Sequence, residues 1–333
     1  MVAGRVLAFS DPDIIRMARE NYVPVAGDDW YERRRDDAEG RFFRQVADQG
    51  PQKGEDGATR QGIYCFTASG KLLAYSNHSD PKVMRQAIRK GLTEWSKLPK
   101  TDRRPGSLQI DDSPRFDSNY SRQPPRGGVI LNVYTRILDH DAHGELCKGT
   151  CKTTGGDRTA RDHLWLTKSD WQSILPARLH RGATFSLPEP VADRLIRFHL
   201  TDNTRGEPPF WRREEIRSRK LELTLEDLTE SKARLRLEGA VLLATDGNIS
   251  RAGRGFDVRL LGYLDYDRRR ETFDRIDLVA LGEHWGEGTF TKGARSGRSP
   301  LGIVFELATS KSPADQVPPQ GAREINEYLG RSR

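Results

Sequence analysis

Residues 221–266 read LELTLEDLTESKARLRLEGAVLLATDGNISRAGRGFDVRLLGYLDY. Apolar and polar side chains alternate through 221–225, through 233–237 and again along 256–266. Successive side chains of a strand point to opposite faces, so this alternation belongs to strands with one buried and one solvated side. Polar turns separate the runs, which is the pattern of an antiparallel meander. Segments 273–281 and 302–307 extend it, and the apolar run 129–138 is expected to join. Gly239 and Gly262 occupy comparable places in RLRLEGAVLL and VRLLGYLDYD. Mid-strand glycine usually marks a bulge or sharp bend, so the expectation is a strongly curved sheet or partial barrel.

Upstream lies VILNVYTRILDHDAHGELCKGTCKTTGGDRTARDHLWLT, residues 129–167, which leaves one apolar strand and returns in another. Val129, Leu131 and Val133 share a face and, with Trp165, are expected in the core of this region. The loop holds His140, His143, Cys147 and Cys151 within twelve residues. Two imidazoles and two thiolates are the ligand types of zinc or copper. The spacing departs from the usual zinc knuckle, and a Cys147–Cys151 disulfide or a plain polar loop is the competing reading. A second, dispersed set consists of His163, His199, Glu283 and His284, each beside apolar residues at the end of a regular element. Two histidines and a carboxylate would suit non-haem iron, whereas separate, satisfied histidines would carry no site. Asp202 and Arg205 lie in a polar turn that either holds a ligand or orders the loop. No nucleophile elbow, P-loop or dinucleotide fingerprint is present in the sequence, and no catalytic residue is assigned.

The first 98 residues have a different character. Asp11-Pro12 and Asp80-Pro81 each offer a capping carboxylate followed by a proline that suits the first helical turn. The apolar spacing 83, 84, 87, 88, 92, 95 makes one helical stripe, and a second amphipathic stretch covers 39–48. Residues 22–26 read as a short strand, and 62–76 as a β-hairpin around Ala68-Ser69-Gly70. Taken together, FSDPDIIRMARENYVPVAGDD, IYCFTASGKLLAYS and the helix after Asp80 resemble the later part of a thioredoxin-like domain. Redox-active members of that family carry a Cys-x-x-Cys pair just upstream of the segment like Phe9-Ser10-Asp11-Pro12. Here no cysteine precedes Cys65, and Thr59-Arg60-Gln61-Gly62 lacks the family's proline before the hairpin. The resemblance therefore implies the fold without dithiol chemistry, with Cys65 a small buried residue.

The fold class expected is α+β. An incomplete thioredoxin-like α/β domain (1–98) leads through a Pro-rich linker (99–128) to a larger antiparallel β-rich domain (129–310). That domain carries two short helices, near 169–175 and 188–200, and a tail with a short helix (311–333) follows. The chain has 333 residues and 31% charged residues, and its net charge is +7. Basic residues are interleaved with acids, as in Glu32-Arg33-Arg34-Arg35-Asp36-Asp37, so no nucleic-acid partner is expected. No apolar run approaches the ~20 residues of a membrane span, and three cysteines make no disulfide framework. A soluble, cytoplasmic protein is the expectation, with export behind a removed leader as the alternative. Functionally, the leading expectation is a metal-binding protein of metal-dependent oxidoreductase type, its site in the second domain. The alternative is a binding or scaffold module that uses the curved sheet to hold an unidentified small molecule or protein.

Overall fold

The computed structural model describes residues 9–51, 53, 58–78, 80–103, 117–147, 159–176, 178, 180–308 and 312–331. The chain divides near residue 122 into two compact units. Among the described residues, no helix is long and apolar enough to cross a membrane.

In the N-terminal unit, helices α1 (Pro12–Asn21), α2 (Asp29–Glu32) and α3 (Ala38–Ala47) precede an antiparallel hairpin, β1 (Ile63–Phe66) and β2 (Leu72–Ser76), and the long helix α4 (Pro81–Lys97). Both Asp-Pro starts work as caps. Asp11 Oδ1 accepts from the backbone nitrogens of Asp13 and Ile14 at 3.1 Å, and Asp80 Oδ1 from that of Lys82 at 2.7 Å. Ile14, Cys65, Ala74, Met84 and Ile88 form the core. Cys65 is a buried free thiol, which burial pushes above its ordinary pKa, and Gly91 of α4 lies against it. The stretch 22–26 is not a strand. Val23 and Val25 project outward, and Tyr22 is held by its hydroxyl donating to the Ile88 carbonyl. A strand needs a paired neighbour, and among the described residues this segment has none.

The C-terminal unit is an eight-stranded antiparallel sheet in the order β4-β3-β10-β9-β8-β7-β6-β5. Its strands are β3 (Val129–Ile137), β4 (Thr159–Leu166), β5 (Thr184–Ser186), β6 (Ile216–Leu228), β7 (Lys232–Ala244), β8 (Arg254–Asp267), β9 (Thr272–Gly286) and β10 (Ser299–Leu307). The sheet is open, ending at β4 and β5. Between β4 and β6 come α5 (Lys168–Ser173), α6 (Glu189–Arg194) and a five-residue π-helix (Leu195–His199). Val191, Leu195 and Ile196 join Leu223, Leu237, Val258, Leu278, Ile303 and Val133 in one apolar core. The alternation read from the sequence thus does what it implies: its apolar side meets helices and the charged side faces out. Transfer of such side chains from water stabilises by about 1.5–3 kcal/mol each.

Gly239 and Gly262 sit in uninterrupted register, opposite Leu221 and Leu237, so neither makes a bulge. A Cβ at Gly239 would lie 1.9 Å from the Lys220 carbonyl oxygen, and one at Gly262 2.1 Å from Leu278 Cδ2. Glycine here permits close approach between strands. Trp165 is fully buried but not with Leu131 and Val133. It faces the other side of the sheet, in a smaller cluster with Ile130, Phe198, Ala322 and Tyr328. The short C-terminal helix α7 (Ile325–Tyr328) supplies that cover.

Candidate functional site

The loop after β3 doubles back on itself. His140 bridges Leu146, Asp141 N donates to Glu145 O at 2.8 Å, and Cys147 N to Asp139 O at 2.9 Å. The Asp141 carboxylate accepts from the backbone nitrogens of His143 and Glu145. Both imidazoles are exposed, and His140 Nε2 lies 3.9 Å from Glu283 Oε1. Cys147 is held in a disulfide, so its sulfur is not a free thiolate, the form that ligates metal. Cys151 lies outside the described residues. Of the set His140, His143, Cys147 and Cys151, the described members offer two exposed imidazoles and one oxidised sulfur.

The dispersed set does not converge. His163 stands opposite Asn132, which is level with Glu306 and Asp277 on the next two strands. His284 is seven residues further along β9, about 23 Å at ~3.3 Å per residue. Glu283 and His284 are consecutive in that strand and point to opposite faces: Glu283 towards His140, His284 inward against Phe256. His199 belongs to the π-helix. Among the described residues, no group of three or more His, Cys, Asp or Glu is placed to hold a metal.

His199 and His284 border local networks, whereas His163 Nε2 has no hydrogen-bond partner among the described residues. Trp165 N donates to the Tyr328 hydroxyl at 3.0 Å, and that hydroxyl lies 3.0 Å from His199 Nε2. His199 Nδ1 lies 3.6 Å from Asp162 Oδ2, beyond hydrogen-bond reach. Burial, reinforced by the Arg194 charge, pushes His199 down to about 3. Burial pushes Asp162 up to about 6, against the backbone hydrogen bonds of His163 and Gln320. Arg194 completes the clasp: Nε donates to Tyr328 O at 2.6 Å, and Nη1 to Trp165 O at 3.0 Å and Asp170 at 2.5 Å. The gap between Asp162 and His199 is too long for a proton relay, and the tyrosine hydroxyl is enclosed and committed to a strand amide. Its work is to fasten the C-terminal helix across β4.

At the opposite end of the sheet, Asp202 Oδ1 accepts from Thr204 and Oδ2 from Arg205 Nε at 2.7 Å. Arg205 in turn donates to the carbonyls of Thr291 and Gly286. Burial works to raise the Asp202 carboxyl, but His284, Thr204 and Arg205 hold it below the usual carboxylate range. Burial holds His284 at about 4, against the Asp202 charge. Arg254 lies over the Trp211 ring at 3.9 Å and donates to Pro209 O, and Arg295 bridges the carbonyls of Leu138 and Pro300. The Asp202/Arg205 turn thus orders loops. A cavity of about 20 Å³ in the main core is lined by apolar side chains, among them Leu131, Leu195, Leu237 and Leu278. That is the room of about one water, against the ~300 Å³ or more of a ligand pocket.

Exposed apolar side chains also stand on the outer face of the sheet. Leu261, Val279, Val304 and Tyr134 are direct cross-strand neighbours on β8, β9, β10 and β3. With Leu281 they are 37–48% exposed. This row, about 14 Å across four strands at ~4.8 Å spacing, escaped the reading of the sequence. The signal was there: Leu260-Leu261, Leu278-Val279-Ala280-Leu281 and Ile303-Val304-Phe305 break the alternation, and unbroken apolar runs mark strands covered on both faces.

Comparison of the chain with protein families, with characterised proteins and with solved structures finds no match.

Proposed function

We propose that the C-terminal unit is a binding module that engages a macromolecular partner through the outer face of its curved sheet. The observation that carries this reading is the row Leu261, Val279, Val304 and Tyr134, level across four adjacent strands and open to solvent. Scattered exposed apolar residues are ordinary, whereas a contiguous set rimmed by polar residues marks an interaction surface. Arg259, Arg136, Asp277 and Glu306 make that rim. Chemistry within the unit has less support, because Asp170, Asp202 and Tyr328 are spent on the networks that tie loops and tail to the sheet.

The test is photo-crosslinking from Tyr134→p-benzoylphenylalanine, which keeps an aromatic ring at the edge of the row. The expected result is an adduct of discrete higher mass, formed in the producing cell. It should be absent from the same probe at Arg269, in the exposed β8–β9 turn, and lost when Val279→Lys is added. Absence of any intermolecular adduct from Tyr134 would refute the reading.

A further inference from the structure

The charges beside the apolar row are distributed unequally. Two residues along the strands in one direction, the outer face carries Arg259 on β8 and Arg136 on β3, level with Leu281 and Gly302. Two residues in the other direction it carries Asp277 on β9 and Glu306 on β10. Asp277 is paired with Arg275. Arg259 and Glu306 have no salt-bridge partner among the described residues. On β8, β9, β10 and β3 the rows beside the apolar one are therefore basic on one side and acidic on the other.

A surface with this pattern is complementary to itself. An isologous contact brings the same patch of two copies together, so each feature meets its image under the two-fold. With the axis lying in the face and across the strands, the apolar row meets its own copy, and each basic flank is carried over the partner's acidic flank. Two sheets can pack in this way about 10 Å apart, with a modest angle between strands that follows from their twist. An unrelated partner would have no reason to match both flanks of this face, whereas a second copy does so by symmetry. Like-charge repulsion would oppose the other simple arrangement, with the axis along the strands, because Arg259 would then approach Arg136.

We infer that this face docks a second copy of the chain, the two sheets meeting face to face about a two-fold axis that runs across the strands. The inference rests on the binding-module reading above and names its partner. Five partly exposed apolar side chains form the centre, and the charged flanks supply the rest of the ~800 Å² per partner usual for a stable interface.

The experiment is sedimentation velocity on the full chain over a concentration series. A species of twice 37.7 kDa is expected at micromolar concentration. Val279→Lys places a charge at the centre of the row and should raise the dissociation constant at least ~100-fold. Because Val279 projects outward, the circular dichroism spectrum and melting temperature of the unit should be retained. Arg259→Glu and Glu306→Arg should each weaken the dimer about tenfold, while the double variant recovers to within about threefold of the parent. A merely misfolded single variant would not be rescued by the second. A chain that stays monomeric at ~100 μM, weaker than any dimer of this size is expected to be, would overturn the inference. So would a dimer indifferent to Val279→Lys. If the Tyr134 adduct contains a different protein, the second copy is excluded while the face remains a binding surface. If no adduct forms at all, both readings fall together.

Discussion

Tyr328→Phe probes the clasp that holds the C-terminal helix on the sheet. The substitution keeps the ring in its cluster with Ile130, Trp165 and Phe198, so it opens no cavity. It removes one oxygen that serves two buried groups, the Trp165 amide and His199 Nε2, each at 3.0 Å. Trp165 and His199 are 0% and 2% exposed, so water does not readily replace the hydroxyl. Leaving a buried donor or acceptor unmade costs about 1–3 kcal/mol, and the two together should cost roughly 2–5 kcal/mol. The measurement is urea denaturation of the full chain with hydrogen-exchange mass spectrometry, which separates the response of this unit from that of the N-terminal one. Exchange should accelerate in the peptides spanning 163–166 and 325–329, with little change in the 63–97 region. A loss under about 0.5 kcal/mol, within the range of neutral surface substitutions, together with unchanged exchange at Trp165, would show that the hydroxyl is not a structural partner.

Stability of the C-terminal unit should fall as pH drops below about 6.5, because burial holds His163 and His284 at about 4 and His199 at about 3. Protons are then taken up by the unfolded chain before the folded one, at a cost near 2 kcal/mol per histidine at pH 5. Asp162, raised to about 6, works in the opposite sense by accepting a proton in the folded state first, and so offsets part of the loss. His284→Gln should flatten the thermal-melting profile between pH 6.5 and 4.5, and an unchanged slope would contradict the buried, neutral assignment. Untagged protein as isolated should carry less than roughly 0.2 equivalents of zinc, copper or iron, because metal binding needs a deprotonated ligand set and Cys147 is oxidised. A full equivalent that survives dialysis and is lost in His140→Ala would restore the loop as a metal centre.

Local rules carried much of the architecture. Period-two alternation in 221–225, 233–237 and 256–266 pointed to strands with one wet face, and the structure has β6, β7 and β8 there. The Asp-Pro starts likewise announced α1 and α4. The strands run longer than the alternation suggested, β7 to Ala244 and β9 to Gly286, because ladder pairing holds residues whose own pattern is weak. The three-residue strand β5 was not legible, since Thr184–Ser186 is ordered by its register with Thr224, Leu223 and Glu222.

The site residues show where such reading stops. Composition placed His140, His143 and Cys147 in one short loop, and their nearness there follows from chain connectivity alone. Whether His163, His199 and His284 share a centre depends on register and strand order, which bring distant residues level or set them ~23 Å apart along the strands. Asp170 and Arg194 look like surface charges in sequence and become a buried pair only where the C-terminal segment folds over β4. The outer row has the same origin: Leu261, Val279, Val304 and Tyr134 are scattered over 170 positions of sequence, and β-pairing sets them side by side. Sequence alone determines which side chains of a strand share a face, because the pleat has a period of two. Which strands lie together, and so which exposed side chains add up to a surface, is decided by long-range pairing.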